Sequence, residues 1–134
     1  NPTQEEWSAT IEKELHGDFK DTILVGHSLG GLAILHAIAA HQKNERVQTV
    51  ILIGTPSADV GRPAINSFLP PLPWEKLKER IRTIKLIYSK DDPYVPFNQA
   101  AEFQEQLEGE LIAYEGKGHF ENDKEFPEFL KIIL

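Results

Sequence analysis

Residues 22–31, which read TILVGHSLGG, decide the fold. The first five residues form a short apolar run rich in β-branched side chains, typical of a strand buried on both faces of a sheet. From Leu29 to Ala40 the sequence is apolar nearly all round, and this pattern predicts a buried helix. Residues 26–30 therefore place a G-x-S-x-G motif on a strand-to-helix turn.

The turn explains why each position of the motif has its residue type. A turn this tight strains the serine backbone and exposes the hydroxyl of Ser28 above the sheet. Glycine at 26 and 30 is expected, because side chains there would collide across the turn, and Gly31 would let the helix pack closely on the sheet. The N–H of Leu29 would face a developing oxyanion, aided by the helix dipole. Ser28 is thus a candidate nucleophile, although a phosphate-binding turn is an alternative that the motif leaves open.

Strands and helices alternate along the rest of the chain. Further strands are predicted at 47–53, 83–88 and 110–114, and further helices from Thr3 to a stop at Gly17 and at 74–80, 97–107 and 125–134. Residues 54–73, rich in proline and glycine, are expected to form a long connection. This order predicts right-handed βαβ units and an α/β fold, a three-layer sandwich with a mainly parallel sheet between helices.

Composition excludes several classes of function. The chain has 14 basic and 21 acidic residues, a net charge of −7, and no basic stripe, so we expect no nucleic-acid partner. It has no cysteine, which excludes disulfides, thiolate zinc sites and a cysteine nucleophile. No window approaches the roughly 18 consecutive apolar residues of a membrane span, so none is expected.

Two later loops carry the acid and the base that a serine nucleophile needs. The third predicted strand runs into Asp91 and Asp92, and the fourth is followed by a glycine-flanked His119. The carboxyl ends of parallel strands meet at one edge of a sheet. Aspartate before proline is also a common turn former, and a histidine in a glycine-rich loop is often only solvated. The order Ser, Asp, His after three separate strands favours a catalytic triad.

The chain resembles the α/β-hydrolase superfamily, and within it the small serine hydrolases related to retinoblastoma-binding protein 9 and bacterial YdeN-like proteins. The resemblance rests on residues 1–2 (NP), 26–31 (GHSLGG), 89–97 (SKDDPYVPF) and 116–120 (GKGHF). It implies Ser28 as nucleophile and His119 as base. It also implies Asp92, rather than Asp91, as the orienting acid, because the acid in that pattern stands three residues before a Val-Pro pair.

The resemblance also implies a longer protein. Its members have a strand, a loop supplying the first oxyanion donor and a helix before the region that matches Asn1. We therefore expect residues 1–134 to be the C-terminal major part of a longer single domain, and that donor to lie outside this chain. We also expect an exposed apolar sheet edge beside the Ser28 strand. The chain alone is then expected to be inactive or unstable.

The implied reaction is transfer of an acyl group to water through an acyl-Ser28 intermediate, with no metal or organic cofactor. Small esters or thioesters are the expected substrates. His27 is a poor base candidate, because neighbouring residues on a sharp turn point apart. We predict that substrate contacts come from His27, Trp74, Tyr94 and Phe120, with the apolar and conformationally stiff stretch 68–74 (FLPPLPW) flanking an acyl pocket. That residues 68–74 only pack their loop onto the body is an equally good interpretation. The alternative function is a low-turnover hydrolase-fold protein that acts as a protein-binding module.

Overall fold

A four-stranded parallel sheet organises the described part of the molecule. The structure is a computed structural model and describes residues 3–15, 19–42, 45–122 and 126–133. The strands are β1 (Ile23–His27), β2 (Val47–Ile53), β3 (Ile81–Ser89) and β4 (Glu110–Tyr114), adjacent in chain order and all parallel. One row of the register runs through His27, Ile53, Ile87 and Ile112. The loops that follow these strands consequently emerge at the same edge.

The helices are α1 (Gln4–Glu14), α2 (Leu29–Ala40), α3 (Trp74–Arg80), α4 (Ala100–Leu107) and α5 (Phe129–Ile133). The Thr3 hydroxyl caps α1, because it accepts from the Glu6 N–H at 3.3 Å. The Asn1-Pro2 pair of the resemblance and Gly17, the predicted end of this helix, lie outside the described residues. None of the described helices is long and apolar enough to cross a bilayer.

Three stretches differ from the sequence prediction. The helix predicted at 125–134 begins only at Phe129, because Phe126 precedes a proline and that position disfavours helical backbone; residues 125 and 134 lie outside the described part. The segment 97–107 is a short 3₁₀ turn, Phe97–Gln99, followed by α4. The connection 54–73 contains a second 3₁₀ segment, Pro63–Phe68.

The core lies on both faces of the sheet, which confirms the three-layer α/β architecture. On one face, Leu52 and Leu86 are buried in a large apolar cluster with α2, α3 and α4. On the other, Ile51 and Ile87 pack with Ile132 of α5 in a smaller cluster. Successive strand residues point to opposite faces, and this alternation explains the two clusters.

β1 is the edge strand beside β2. Ile23 and Val25 are 39% and 43% exposed, so the prediction that this strand is buried on both faces is wrong for this chain. The expectation of an exposed apolar edge beside the serine is met instead. The nucleophile candidate therefore stands at the border of the described sheet.

Candidate active site

Ser28 occupies a strained turn between β1 and α2. Its φ of 54° and ψ of −123° lie in a region that non-glycine residues rarely adopt. The Ser28 N–H donates to the Ile53 carbonyl at 2.7 Å, which ties the turn to the end of β2. A Cβ at position 26 would lie 2.5 Å from the Gly31 Cα, so glycine is required there. The predicted strain of the turn is thus present in the backbone.

Gly30, the second glycine of the motif, and the adjacent Gly31 have different roles. A Cβ at Gly31 would lie 2.2 Å from the Thr55 hydroxyl oxygen and 3.0 Å from Leu52, so close packing of α2 on the sheet depends on glycine at this position. A Cβ at Gly30 would meet nothing within 4 Å beyond its own helix. The prediction that glycine at 30 avoids a collision is therefore wrong, because this position of α2 points away from the rest of the described protein.

Asp92 and His119 form a buried pair at the carboxyl ends of β3 and β4. Asp92 Oδ2 lies 2.8 Å from His119 Nδ1, and the Asp92 side chain is fully buried. The other oxygen, Oδ1, accepts from the N–H groups of Tyr94 and Val95 at 2.8 and 2.9 Å. A carboxylate can only accept, so Nδ1 carries the proton and Nε2 of the neutral ring is left as an acceptor.

Gly54, the first residue after β2, makes room for this pair. Its φ is +55°, and a Cβ there would lie 3.3 Å from both Asp92 Oδ2 and His119 Nδ1. Its N–H donates to the Ile87 carbonyl at 2.9 Å, which holds the backbone beside β3. In the sequence, Gly54 is marked only as the first residue of the long connection 54–73. Its position after the strand between the Ser28 and Asp92 strands was the available signal for a role at the site.

His119 is enclosed by two further ring-bearing residues. His27 Nε2 donates to the His119 carbonyl oxygen at 2.6 Å, and the two imidazole centroids are 4.8 Å apart. Tyr94 meets the His119 ring edge-on at 5.4 Å. The His27 side chain thus supports the backbone that carries His119, a contact that its position beside the serine did not reveal.

One pocket of about 390 Å³ contains Ser28, Leu29 and His119 in its wall. Ser28 Oγ and the His119 ring share no hydrogen bond in the described structure. In unliganded enzymes such bonds are often long and tighten when substrate binds. The remaining lining combines apolar and polar groups: His27, Pro56, Val60, Arg62, Ile65, Tyr94, Val95 and Glu121.

The structure separates the predicted substrate contacts into two groups. His27 and Tyr94 line the pocket. Trp74 does not: it packs edge-on against Phe103 at 6.1 Å as part of the large core cluster. Phe120 does not line it either, because it turns toward Tyr114 and Phe126 on the opposite face of the sheet. The prediction that Trp74 and Phe120 contact substrate is therefore corrected: both pack against other aromatic side chains.

The long connection contributes pocket residues that sequence reasoning missed. Pro56, Val60, Arg62 and Ile65 all come from residues 54–73. The Arg62 guanidinium lies over the Tyr94 ring, 5.0 Å from its centroid, which places a cation at the pocket wall. Nothing in the local pattern of this segment distinguishes a pocket wall from a surface loop.

The fold agrees with comparisons to known proteins. A family described as "Serine hydrolase" matches residues 1–133. The chain belongs to the serine hydrolase family. It is 34% identical over 130 residues to the serine hydrolase RBBP9 of Rattus norvegicus, covering 95% of this chain and 67% of that protein. It is 29% identical over 127 residues to the putative hydrolase YdeN of Bacillus subtilis, covering 93% of this chain and 67% of that one.

Solved structures place this serine hydrolase among α/β-hydrolases. The crystal structure of the ydeN gene product from B. subtilis superposes with a TM-score of 0.86 at 26% identity, covering 98% of this chain and 74% of that one. A meta-cleavage product hydrolase from Pseudomonas fluorescens has a TM-score of 0.74 at 14% identity, over 99% of this chain and 71% of that one. The second likeness shows the shared fold alone.

Proposed function

We propose that this serine hydrolase cleaves small esters or related acyl substrates through an acyl-Ser28 intermediate, with Asp92 and His119 completing a catalytic triad. The observation that carries the proposal is the 2.8 Å contact between Asp92 and His119. This contact leaves Nε2 as the imidazole nitrogen without the carboxylate, and His119 and Ser28 line the same pocket. Nucleophile, base and orienting acid are the three groups that such a reaction needs.

The proposed chemistry proceeds in two halves. His119 Nε2 takes the hydroxyl proton as Ser28 Oγ attacks the acyl carbon, and the imidazolium returns that proton to the leaving alkoxide as the ester bond breaks. Water then attacks the acyl-enzyme and gives a proton to His119. The imidazolium returns this proton to Ser28 Oγ as the bond from Oγ to the acyl carbon breaks, which releases the acid and regenerates Ser28. Asp92 stabilises the imidazolium in both halves, and the N–H of Leu29 stabilises the oxyanion.

The pocket supports a substrate of modest size. Its volume of about 390 Å³ lies toward the lower end of the usual range for ligand sites, roughly 300–1,000 Å³. Val60, Ile65 and Val95 give it apolar walls suited to a short acyl chain. We therefore propose a small-molecule acyl ester as the partner of this site.

A fluorophosphonate probe tests the proposal, because it labels only a serine activated by a base. The full-length wild-type protein should be labelled, whereas its Ser28→Ala and His119→Ala variants should lose labelling. Ser67→Ala is the matched control, since Ser67 is exposed and does not line the pocket. A folded wild-type protein that resists the probe would favour the alternative of a low-turnover binding module. Labelling that persists in Ser28→Ala would exclude Ser28 as the nucleophile.

A further inference from the structure

Asp91, next to the proposed acid Asp92, has its own set of hydrogen-bond partners. Its Oδ1 accepts from the Ser89 hydroxyl at 2.5 Å and from the N–H groups of Gly116 and Gly118, each at 3.1 Å. These glycines belong to the loop that leads from β4 to His119. Asp91 thus connects the end of β3 to the loop that carries the proposed base.

Ser89 extends the same connection. Ser89 is fully buried. Its hydroxyl oxygen accepts from the N–H of Lys117 at 3.1 Å, and its O–H donates a hydrogen bond to Asp91. The N–H groups of residues 116, 117 and 118 therefore all donate hydrogen bonds to Ser89 or Asp91. Gly116 and Gly118 have φ values of 76° and 55°, which lets the N–H groups of this loop turn toward the two acceptors, Asp91 Oδ1 and Ser89 Oγ.

This arrangement fixes the backbone immediately before His119. The ring is held separately by Asp92, and the His119 carbonyl is held by His27. We propose that Asp91, acting with Ser89, is a positioning residue that sets the His119 loop for catalysis, an inference that rests on the proposed function. Asp91 itself does not line the pocket, so it acts through the loop and not on the substrate.

The charge of Asp91 strengthens the contact. Hydrogen bonds from the Ser89 hydroxyl and then from the Gly118 N–H lower the pKa of the Asp91 carboxyl below its ordinary value. A lowered pKa means that the carboxylate stays ionised at neutral and mildly acidic pH. N–H donors bind an ionised acceptor more strongly than a neutral one. The loop is therefore held across the pH range in which a neutral imidazole can act as base.

The test compares Asp91→Ala and Asp91→Asn with Glu115→Gln. Glu115 lies on the same loop and forms an exposed ion pair with Lys90 at 3.3 Å, so its substitution removes one negative charge without touching the three N–H groups. Asp91→Ala should lower kcat about 10- to 100-fold with KM changed less than about twofold, because a small misplacement of a catalytic group costs up to roughly 10²-fold. Asp91→Asn should fall between, since its amide oxygen can still accept. Glu115→Gln should stay within about twofold of wild type.

Amide hydrogen exchange separates positioning from general stability. In Asp91→Ala the amides of residues 116–118 should exchange faster, while those of β2 and β3 keep wild-type rates. Unchanged kcat together with unchanged exchange at 116–118 would overturn the inference. So would a uniform rise in exchange across the sheet, because the effect would then be loss of stability.

The proposed function and this inference fail in distinguishable ways. If His119→Ala retains probe labelling and ester turnover, the triad is wrong and the role of Asp91 falls with it. If His119→Ala is inactive while Asp91→Ala is fully active, only the positioning role is lost. Loss in both, with the local exchange change at 116–118, supports the two together.

Discussion

At the residue scale, the two oxygens of Asp92 have separate partners, and this determines what Asp92→Asn should do. An asparagine that satisfies the Tyr94 and Val95 N–H groups with its oxygen presents its NH₂ to His119 Nδ1. That donor favours the imidazole tautomer with its proton on Nε2, which cannot take a proton from Ser28. We expect kcat to fall roughly 10³- to 10⁴-fold, with KM changed only a few-fold.

Steady-state kinetics on a chromogenic acetate ester measure this effect. Asp59→Asn is the control, because Asp59 accepts from the Gly61 N–H in an exposed turn and does not line the pocket. An Asp92→Asn enzyme that turns over at the wild-type rate would remove Asp92 from the triad.

Gly54 provides a second residue-scale prediction with a matched control. Gly54→Ala places a methyl group 3.3 Å from both atoms of the Asp92–His119 contact, at a φ of +55°. Gly61→Ala carries a similar backbone penalty, at a φ of +77°, but has open space around its Cβ. Each should lose about 1–2 kcal/mol of unfolding free energy from positive φ. Only Gly54→Ala should also lower kcat, because only there must the acid and base move apart. Equal kcat in the two variants would contradict this explanation.

At the residue scale, the sequence predicts positions better than roles. Ser28 lies on the strained turn that its motif predicts, and the side chains of Asp92 and His119 are in contact after successive strands. The choice of Asp92 over Asp91 came from the resemblance, and the catalytic roles of all three stay predictions. Trp74 was misassigned because a stiff apolar segment has the same composition whether it lines a pocket or packs on a core. Gly54 was missed, because its role depends on side chains from two other loops.

At the element scale, α2 packs closely on the sheet at Gly31, whereas Gly30 has open space around it. Gly31→Ala should destabilise the fold by about 1–3 kcal/mol, because its methyl group would overlap the Thr55 hydroxyl and press on Leu52. Gly30→Ala should be neutral or stabilise by up to about 1 kcal/mol, since alanine is the better helix former and its Cβ has free space. Chemical denaturation of both variants beside wild type measures the difference. A Gly30→Ala variant as unstable as Gly31→Ala would show that α2 is packed differently.

Elements were predictable because their periodicity is strong. All four described strands and the buried helix α2 occur where the sequence places them, with ends shifted by a few residues. The exceptions lie where proline or tertiary context overrides the pattern. Phe126 stands before Pro127 and delays α5, and the Pro63–Phe68 segment has no apolar period of its own. The sequence of β1 predicts a buried strand. Its exposure depends on its neighbours in the sheet, which its own sequence does not specify.

At the scale of the whole molecule, the parallel order of the sheet assembles the site. Because all described strands run the same way, the loops after β1, β2, β3 and β4 meet at one edge and bring together Ser28, Gly54, Asp92 and His119. Backbone bonds between neighbouring loops keep them in register, such as Ser28 N–H to the Ile53 carbonyl and Gly54 N–H to the Ile87 carbonyl. The sheet and these edge loops therefore form one hydrogen-bonded unit.

This unit should show a specific response to alkaline pH through Tyr88. Its hydroxyl is buried and donates to the Thr55 carbonyl at 2.5 Å, joining β3 to the loop after β2. Burial, the largest cause, raises the pKa of Tyr88 well above its ordinary value of 10. The stabilising contribution is fully present below about pH 10 and is lost as pH rises further, because only the unfolded chain can release this proton. This one group adds a slope of about 1.4 kcal/mol per pH unit above pH 10.

Tyr88→Phe tests that linkage by denaturant titration at pH 7 and between pH 10 and 12. At pH 7 the variant should lose about 1–3 kcal/mol, because the Thr55 carbonyl is left buried without its donor. Above pH 10 its unfolding free energy should fall less steeply than that of wild type, so the two curves converge. Tyr94→Phe is the control, since that ring is 43% exposed and should keep the wild-type slope. Parallel curves for wild type and Tyr88→Phe would mean that the hydroxyl ionises in the folded protein, and that its hydrogen bond to the loop after β2 opens before the sheet unfolds.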